Sequence, residues 1–167
     1  RLNDLTEIRL MVEPELTRLA AIRGNADDVR ALEKMHDQAE RLISVGSPVS
    51  GANIDFHGRL ALASGNHLAI MLAGSLRDLL LELMNARTES KKAQVEVQKH
   101  HARIIEAVKK RDAEEARDEM RQHILWLHSR LGDRPESYAM RLRMNEPGER
   151  PVKEAKKGGI DGIQKPG

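Results

Sequence analysis

The chain has 167 residues, with 28 Lys and Arg against 26 Asp and Glu, no cysteine and three aromatic side chains. That length is enough to bury one ordinary core without a disulfide or metal to hold it together, and the lack of cysteine excludes thiol catalysis, disulfide frameworks and cysteine-ligated zinc. The basic excess lies entirely in residues 134–167, and Phe56, Trp126 and Tyr138 make no stacking platform, so the chain by itself is a poor candidate for gripping nucleic acid.

No apolar run approaches the roughly 20 residues of a membrane span, and the opening RLNDLTEIRL lacks the layout of a signal peptide. The chain reads as soluble and cytoplasmic, without a membrane partner. Nearly all of residues 3–131 follow helical periodicity and none show a sustained period of two, so the expected class is all-α. Asn3 or Asp4 caps a first helix reaching about Arg23, with Leu5, Val12, Leu16, Leu19 and Ala20 on its apolar stripe. Pro14 falls inside that stripe and predicts a kink unless a new helix begins there. Asp27 or Asp28 caps the second helix, whose buried face carries Val29, Leu32, Met35, Ala39, Leu42 and Ile43, and SVGSPVSG then breaks the chain.

The third helix carries NIDFHGRLALASGN and ends near Gly65, and the fourth follows as NHLAIMLAGSLRDLLLELMNAR. That fourth helix is apolar on more than one side, which predicts either a central position or a face shared with a second copy of the chain. A fifth helix from about Glu89 to Arg111 and a sixth from Asp112 to Leu131, with Asp112 as N-cap, complete an antiparallel bundle of six helices. Residues 1–133 therefore read as one domain. Residues 134–167 read as a basic, flexible tail, in which residues 138–144 could add a seventh helix.

Seven histidines sort by face. His57 shares a surface with Asn53 one turn earlier; His101 lies in the stripe Val97, His101, Ile104 and Val108; His123 lies in the stripe Ala116, Met120, His123 and Leu127. Each of three helices thus turns one imidazole inward, the arrangement by which bundles build internal metal sites. The plain alternative is three core histidines, each hydrogen-bonded to a backbone carbonyl or a neighbour. Imidazole with an oxygen ligand suits zinc, nickel or similar divalent first-row ions and does not choose among them. His36, in a single E-x-x-H, lacks the second such motif of a di-iron bundle; His67 starts a helix, His100 sits on a flank and His128 falls near an exposed helix end.

Arg9 is out of place on the apolar stripe of the first helix. Either Glu13 one turn on pairs with it, or it faces a cavity and receives a carboxylate through its planar fork of donors. A helical metalloenzyme is the main alternative to a binding domain, and it needs a general base near the metal. The inward faces of those three helices supply no Asp or Glu.

NIDFHGRLALASGN, HHARIIEAVKKRD and AEEARDEMRQHI, in that order, together with LTEIRLMVEPELTRLAA at the start, resemble the effector-binding FCD domain of GntR-type transcription regulators of the FadR subfamily, over roughly residues 3–131. The resemblance implies a dimerising bundle of six or seven helices that binds a small organic acid and is preceded in the whole regulator by a winged helix-turn-helix, absent from this chain, that contacts DNA. It implies a divalent metal held by three histidines and an Asp or Asn, here Asn53, His57, His101 and His123, and an effector site to which Arg9 and Asn66 contribute. Asn53 stands where many members carry aspartate, a stronger oxygen ligand. The chain is thus expected to be the sensing domain of a regulator and not an enzyme.

Overall fold

The computed structural model of the chain describes residues 2–85 and 90–130, and only the backbone at residues 2 and 78–85. Six helices and no strand occur among the described residues: α1 (Leu2–Arg23), α2 (Ala26–Ser44), α3 (Ser50–Ala63), α4 (His67–Asn85), α5 (Lys91–Lys110) and α6 (Ala113–Arg130). The all-α bundle expected from the periodicity is present. The expected tail and its seventh helix fall outside the described residues.

The helix ends follow from local chemistry. Asn25 caps α2, its side chain accepting from the backbone N–H groups of Asp27 and Asp28 while the Asp28 carboxylate accepts from the Asn25 N–H. The cap therefore lies two or three residues before the Asp27 or Asp28 expected from sequence, because the reciprocal capping box satisfies donors at both ends of that turn. Ser90 caps α5, and the Asp112 carboxylate accepts from Glu115 N–H at the start of α6 as predicted. Gly65, at φ +64°, closes the turn after α3 in a conformation that a side chain would strain.

Pro14 does not end α1, which runs unbroken through it. Proline costs the helix one backbone hydrogen bond, but α1 packs on α6, α3 and α5, and tertiary burial of its stripe holds the helix together. Leu32, Phe56, Leu60, Ile104, Met120 and Ile124 form the centre of one continuous core drawn from α2, α3, α5 and α6, joined by Ala20 and Ala21 of α1.

Helix α4 is not central. It packs on α3 and leaves Leu68 and Met71 largely exposed, 79% and 70% respectively. No helix among the described residues is long and apolar enough to cross a membrane.

Candidate metal centre

Helices α3, α5 and α6 bring His57, His101 and His123 together, so that one ligand nitrogen from each lies within 4.8 Å of the others. His101 is 1% exposed and His123 wholly buried. The Nε2 atoms of His57 and His123 are 3.3 Å apart, close to the roughly 3.4 Å between two nitrogens that each sit about 2.1 Å from a tetrahedral ion. His101 Nε2 and His123 Nδ1 have no hydrogen-bond partner although both are buried. Buried imidazole nitrogens are ordinarily satisfied; of these two, the His123 Nδ1 is the ring nitrogen other than the Nε2 that meets His57.

Each ring is held in place from outside. Phe56 stacks on His101 with ring centroids 4.0 Å apart and planes 15° from parallel, which sets the plane of that imidazole. Glu13 Oε2 lies 2.8 Å from His57 Nδ1, a contact that leaves Nε2 facing His123. A carboxylate behind a ligating histidine fixes its tautomer and raises its basicity. Glu13 was visible in the sequence only as a neighbour of Arg9; its contact with α3 spans 44 residues and carries no local signal. The cluster thus has a carboxylate behind it, supplied by α1 rather than by the three histidine-bearing helices.

Arg9 takes the bland partner. Its Nε donates to Glu13 Oε1 at 2.6 Å and its Nη2 to Oε2 at 3.1 Å, and both side chains are about nine-tenths buried. Burial alone raises the Glu13 carboxyl, but Arg9 and His57 together outweigh it and hold Glu13 well below the usual carboxylate range. Burial likewise pushes His101 and His123 well below the ordinary 6.5, with the neighbouring imidazoles adding to the shift. Both are therefore neutral at pH 7 and keep a lone pair to offer a cation.

These shifts predict acid sensitivity. Below pH 6.5 the unfolded chain takes up protons that folded His101 and His123 refuse, and below 4.5 it takes up a proton that folded Glu13 refuses. Stability is therefore complete above pH 6.5 and falls as the pH drops below it. Denaturant midpoints of chelator-treated protein should decrease from pH 7.5 to 5.5; equal midpoints would show that the two imidazoles are not buried in their neutral form.

Asn53, 5% exposed, joins Arg9 and the three histidines around a cavity of about 20 Å³, room for one water and not for an organic acid. A second, half-open cavity of about 350 Å³ lies between α1, α3 and α4. Ile54 and His57 border both spaces, and Val12, Leu16, Ile70 and Met120 give the larger one an apolar wall. Asn66 lines neither. It is exposed and accepts from Ala69 N–H, capping the first turn of α4.

Two other histidines sit differently from expectation. His100 is buried beside Trp126 and accepts from Arg103 at 2.7 Å, and His128 is buried with Nδ1 3.0 Å from the Thr6 hydroxyl. From its own helix His100 reads as a flank residue and His128 as one near an exposed end; α6 packing on α5 and α1 covers them. His36 and the exposed Asp37 and Glu40 form a second cluster, in which His36 Nε2 is engaged with the Gln98 carbonyl at 3.1 Å.

The FCD domain family matches residues 4–125. The Glc operon transcriptional activator of Escherichia coli strain K12 is 31% identical over 145 residues, 79% of this chain and 56% of that protein, and the activator of the same name in strain O6:H1 matches equally. Among solved structures, Streptococcus agalactiae GntR superposes with a TM-score of 0.66 at 26% identity, over 76% of this chain and 57% of that one. The chain thus spans a little over half the length of each of these relatives.

Proposed function

Because the chain belongs to the FCD family of effector-binding domains in GntR-type transcription regulators, we propose that it senses a small carboxylic acid with an apolar body, beside a divalent metal held by Asn53, His57, His101 and His123. The observation that carries this reading is the convergence of three imidazoles, those of His101 and His123 fully buried and each with one unpartnered nitrogen, beside a roomy apolar cavity. The donor set fits zinc, nickel or a similar first-row ion, which would supply a positive charge that orients the acid. Matched relatives that are transcription regulators by name leave the metalloenzyme alternative without support.

The division of space suggests the effector's chemistry. The cavity at the histidines holds no more than a water, whereas the neighbouring 350 Å³ lies within the range of small-molecule sites. An apolar body fits the larger cavity, and its carboxylate reaches Arg9 by displacing Glu13. Effector binding thereby exchanges an internal carboxylate for an external one and shifts α1 against α3. In the whole regulator that shift changes the spacing of two winged helix-turn-helix heads on DNA. The exposed apolar face of α4 supports a homodimer, and a cytoplasmic location goes with the regulatory role.

Metal analysis and native mass spectrometry of the protein as purified test the reading, followed by thermal shifts with monocarboxylates of increasing chain length. A bound divalent ion and stabilisation that grows with chain length are expected. Absence of both would overturn the proposal. Arg9→Lys keeps a charge for Glu13 but removes the fork, so it should weaken effector binding by about 10- to 100-fold, the loss expected for one charge-assisted hydrogen bond. Unchanged effector affinity in that variant removes Arg9 from the site.

A further inference from the structure

We infer that Gln98 is a positioning residue that decides which atom Asn53 turns toward the three histidines. The inference rests on the metal reading above and concerns a residue that neither the histidine pattern nor the apolar stripes single out.

Gln98 lies one turn before His101 on α5, and Asn53 one turn before His57 on α3, so the same helix approach that joins the histidines joins the two amides. Gln98 is 2% exposed and donates from Nε2 to Asn53 Oδ1 at 2.7 Å. Its backbone carbonyl is engaged with His36 Nε2, which ties this turn of α5 to α2. The amide pair leaves two buried atoms without partners, the Asn53 Nδ2 donor and the Gln98 Oε1 acceptor.

Those two atoms are complementary. A half-turn of both terminal amides exchanges oxygen for nitrogen on each, so that Asn53 Nδ2 donates to Gln98 Oε1. The hydrogen-bond count is unchanged, because an amide carries both a donor and an acceptor end. What changes is the face of Asn53 that does not meet Gln98. In the first arrangement that face is an N–H₂ group, which repels a cation. In the second it is a carbonyl oxygen, which ligates one. Asn53 lines the small cavity with His57, His101 and His123, so the swap converts a three-nitrogen site into one with an oxygen ligand. A cation selects the second arrangement, and Gln98 makes the exchange free of any lost hydrogen bond. Outer partners of this kind commonly change metal affinity by roughly 10- to 100-fold.

Variants at position 98 separate the two arrangements. Ionised glutamate offers only acceptors, so at pH 7.5 Gln98→Glu, as the carboxylate, holds the Asn53 amide N–H₂ and leaves its oxygen to the site. Leucine offers neither group. With the full chain, Zn²⁺ affinity is measured by chelator competition and the Co²⁺ absorption spectrum reports an oxygen ligand, a readout that general loosening of the core would not move. Gln98→Glu should bind Zn²⁺ at least as tightly as the unaltered chain with the same Co²⁺ spectrum. Gln98→Leu should bind roughly 10- to 100-fold more weakly with an altered spectrum. Uptake by the unaltered chain with unchanged affinity and spectrum in Gln98→Leu overturns this assignment alone. No uptake by the unaltered chain overturns the metal reading together with it. Where Gln98→Leu does not fold, Gln98→Glu decides: a tenfold fall in affinity overturns the assignment, and an equal or higher affinity supports it.

Discussion

Replacing His101 by alanine is expected to lower Zn²⁺ affinity by at least about 100-fold, more than the loss of an outer-shell partner produces. His101 occupies the most constrained corner of the cluster: it is 1% exposed, is stacked on Phe56, and has an Nε2 with no other partner. Its loss leaves two imidazoles and an amide, too few to hold a first-row ion in a closed site. Binding of an ion to the folded state stabilises it by mass action, so the thermal shift on adding Zn²⁺ should vanish with the affinity. Melting the variant and the unaltered chain in chelator separates this effect from packing damage. Retention of Zn²⁺ affinity in His101→Ala would place any bound metal elsewhere, with His36, Asp37 and Glu40 as the other candidate group among the described residues.

Glu13→Ala is expected to destabilise the metal-free protein by about 3–5 kcal/mol, the range for removing one partner of a buried ion pair. Glu13 receives both donors of Arg9 and lies against His57, all within a region about nine-tenths buried. Its removal leaves the Arg9 guanidinium charged, desolvated and unpaired. Restoring a neutral site should recover part of the loss, so the double variant Arg9→Met with Glu13→Ala should be more stable than Glu13→Ala alone. Urea denaturation at pH 7.5 measures both. A loss below about 0.5 kcal/mol, typical of an exposed helix pair, would mean that water reaches Arg9 freely and that the pair is no barrier to an incoming carboxylate.

The sequence made the inward set of histidines legible through spacing alone. Val97, His101, Ile104 and Val108 repeat at the period of a helix face, as do Ala116, Met120, His123 and Leu127, and buried apolar neighbours on a face carry a polar residue inward with them. The same reasoning leaves His100 on a flank and puts His128 near an exposed end, whereas both are buried. Each lies off the main stripe of its own helix, and each is covered by a different helix, His100 by Trp126 and His128 by Thr6, the latter 122 residues away. Asn66, drawn in by the family resemblance, turns out to spend its side chain on the α4 N-terminus.

Helix existence, the Asp112 cap, the apolar stripes and the three inward imidazoles were thus determined by the sequence itself, because each depends on residues within one or two turns of one another, whereas α1 starts ahead of Asn3 and α2 is capped by Asn25. The tertiary structure alone decided that Glu13 backs His57, that Gln98 holds Asn53, and that the space large enough for an acid lies beside the histidines and not among them. Periodicity fixes the direction of a side chain relative to its own helix axis. It says nothing of which neighbouring helix lies in that direction or how far along it, and contacts between residues some 45 positions apart arise only when the helices have packed.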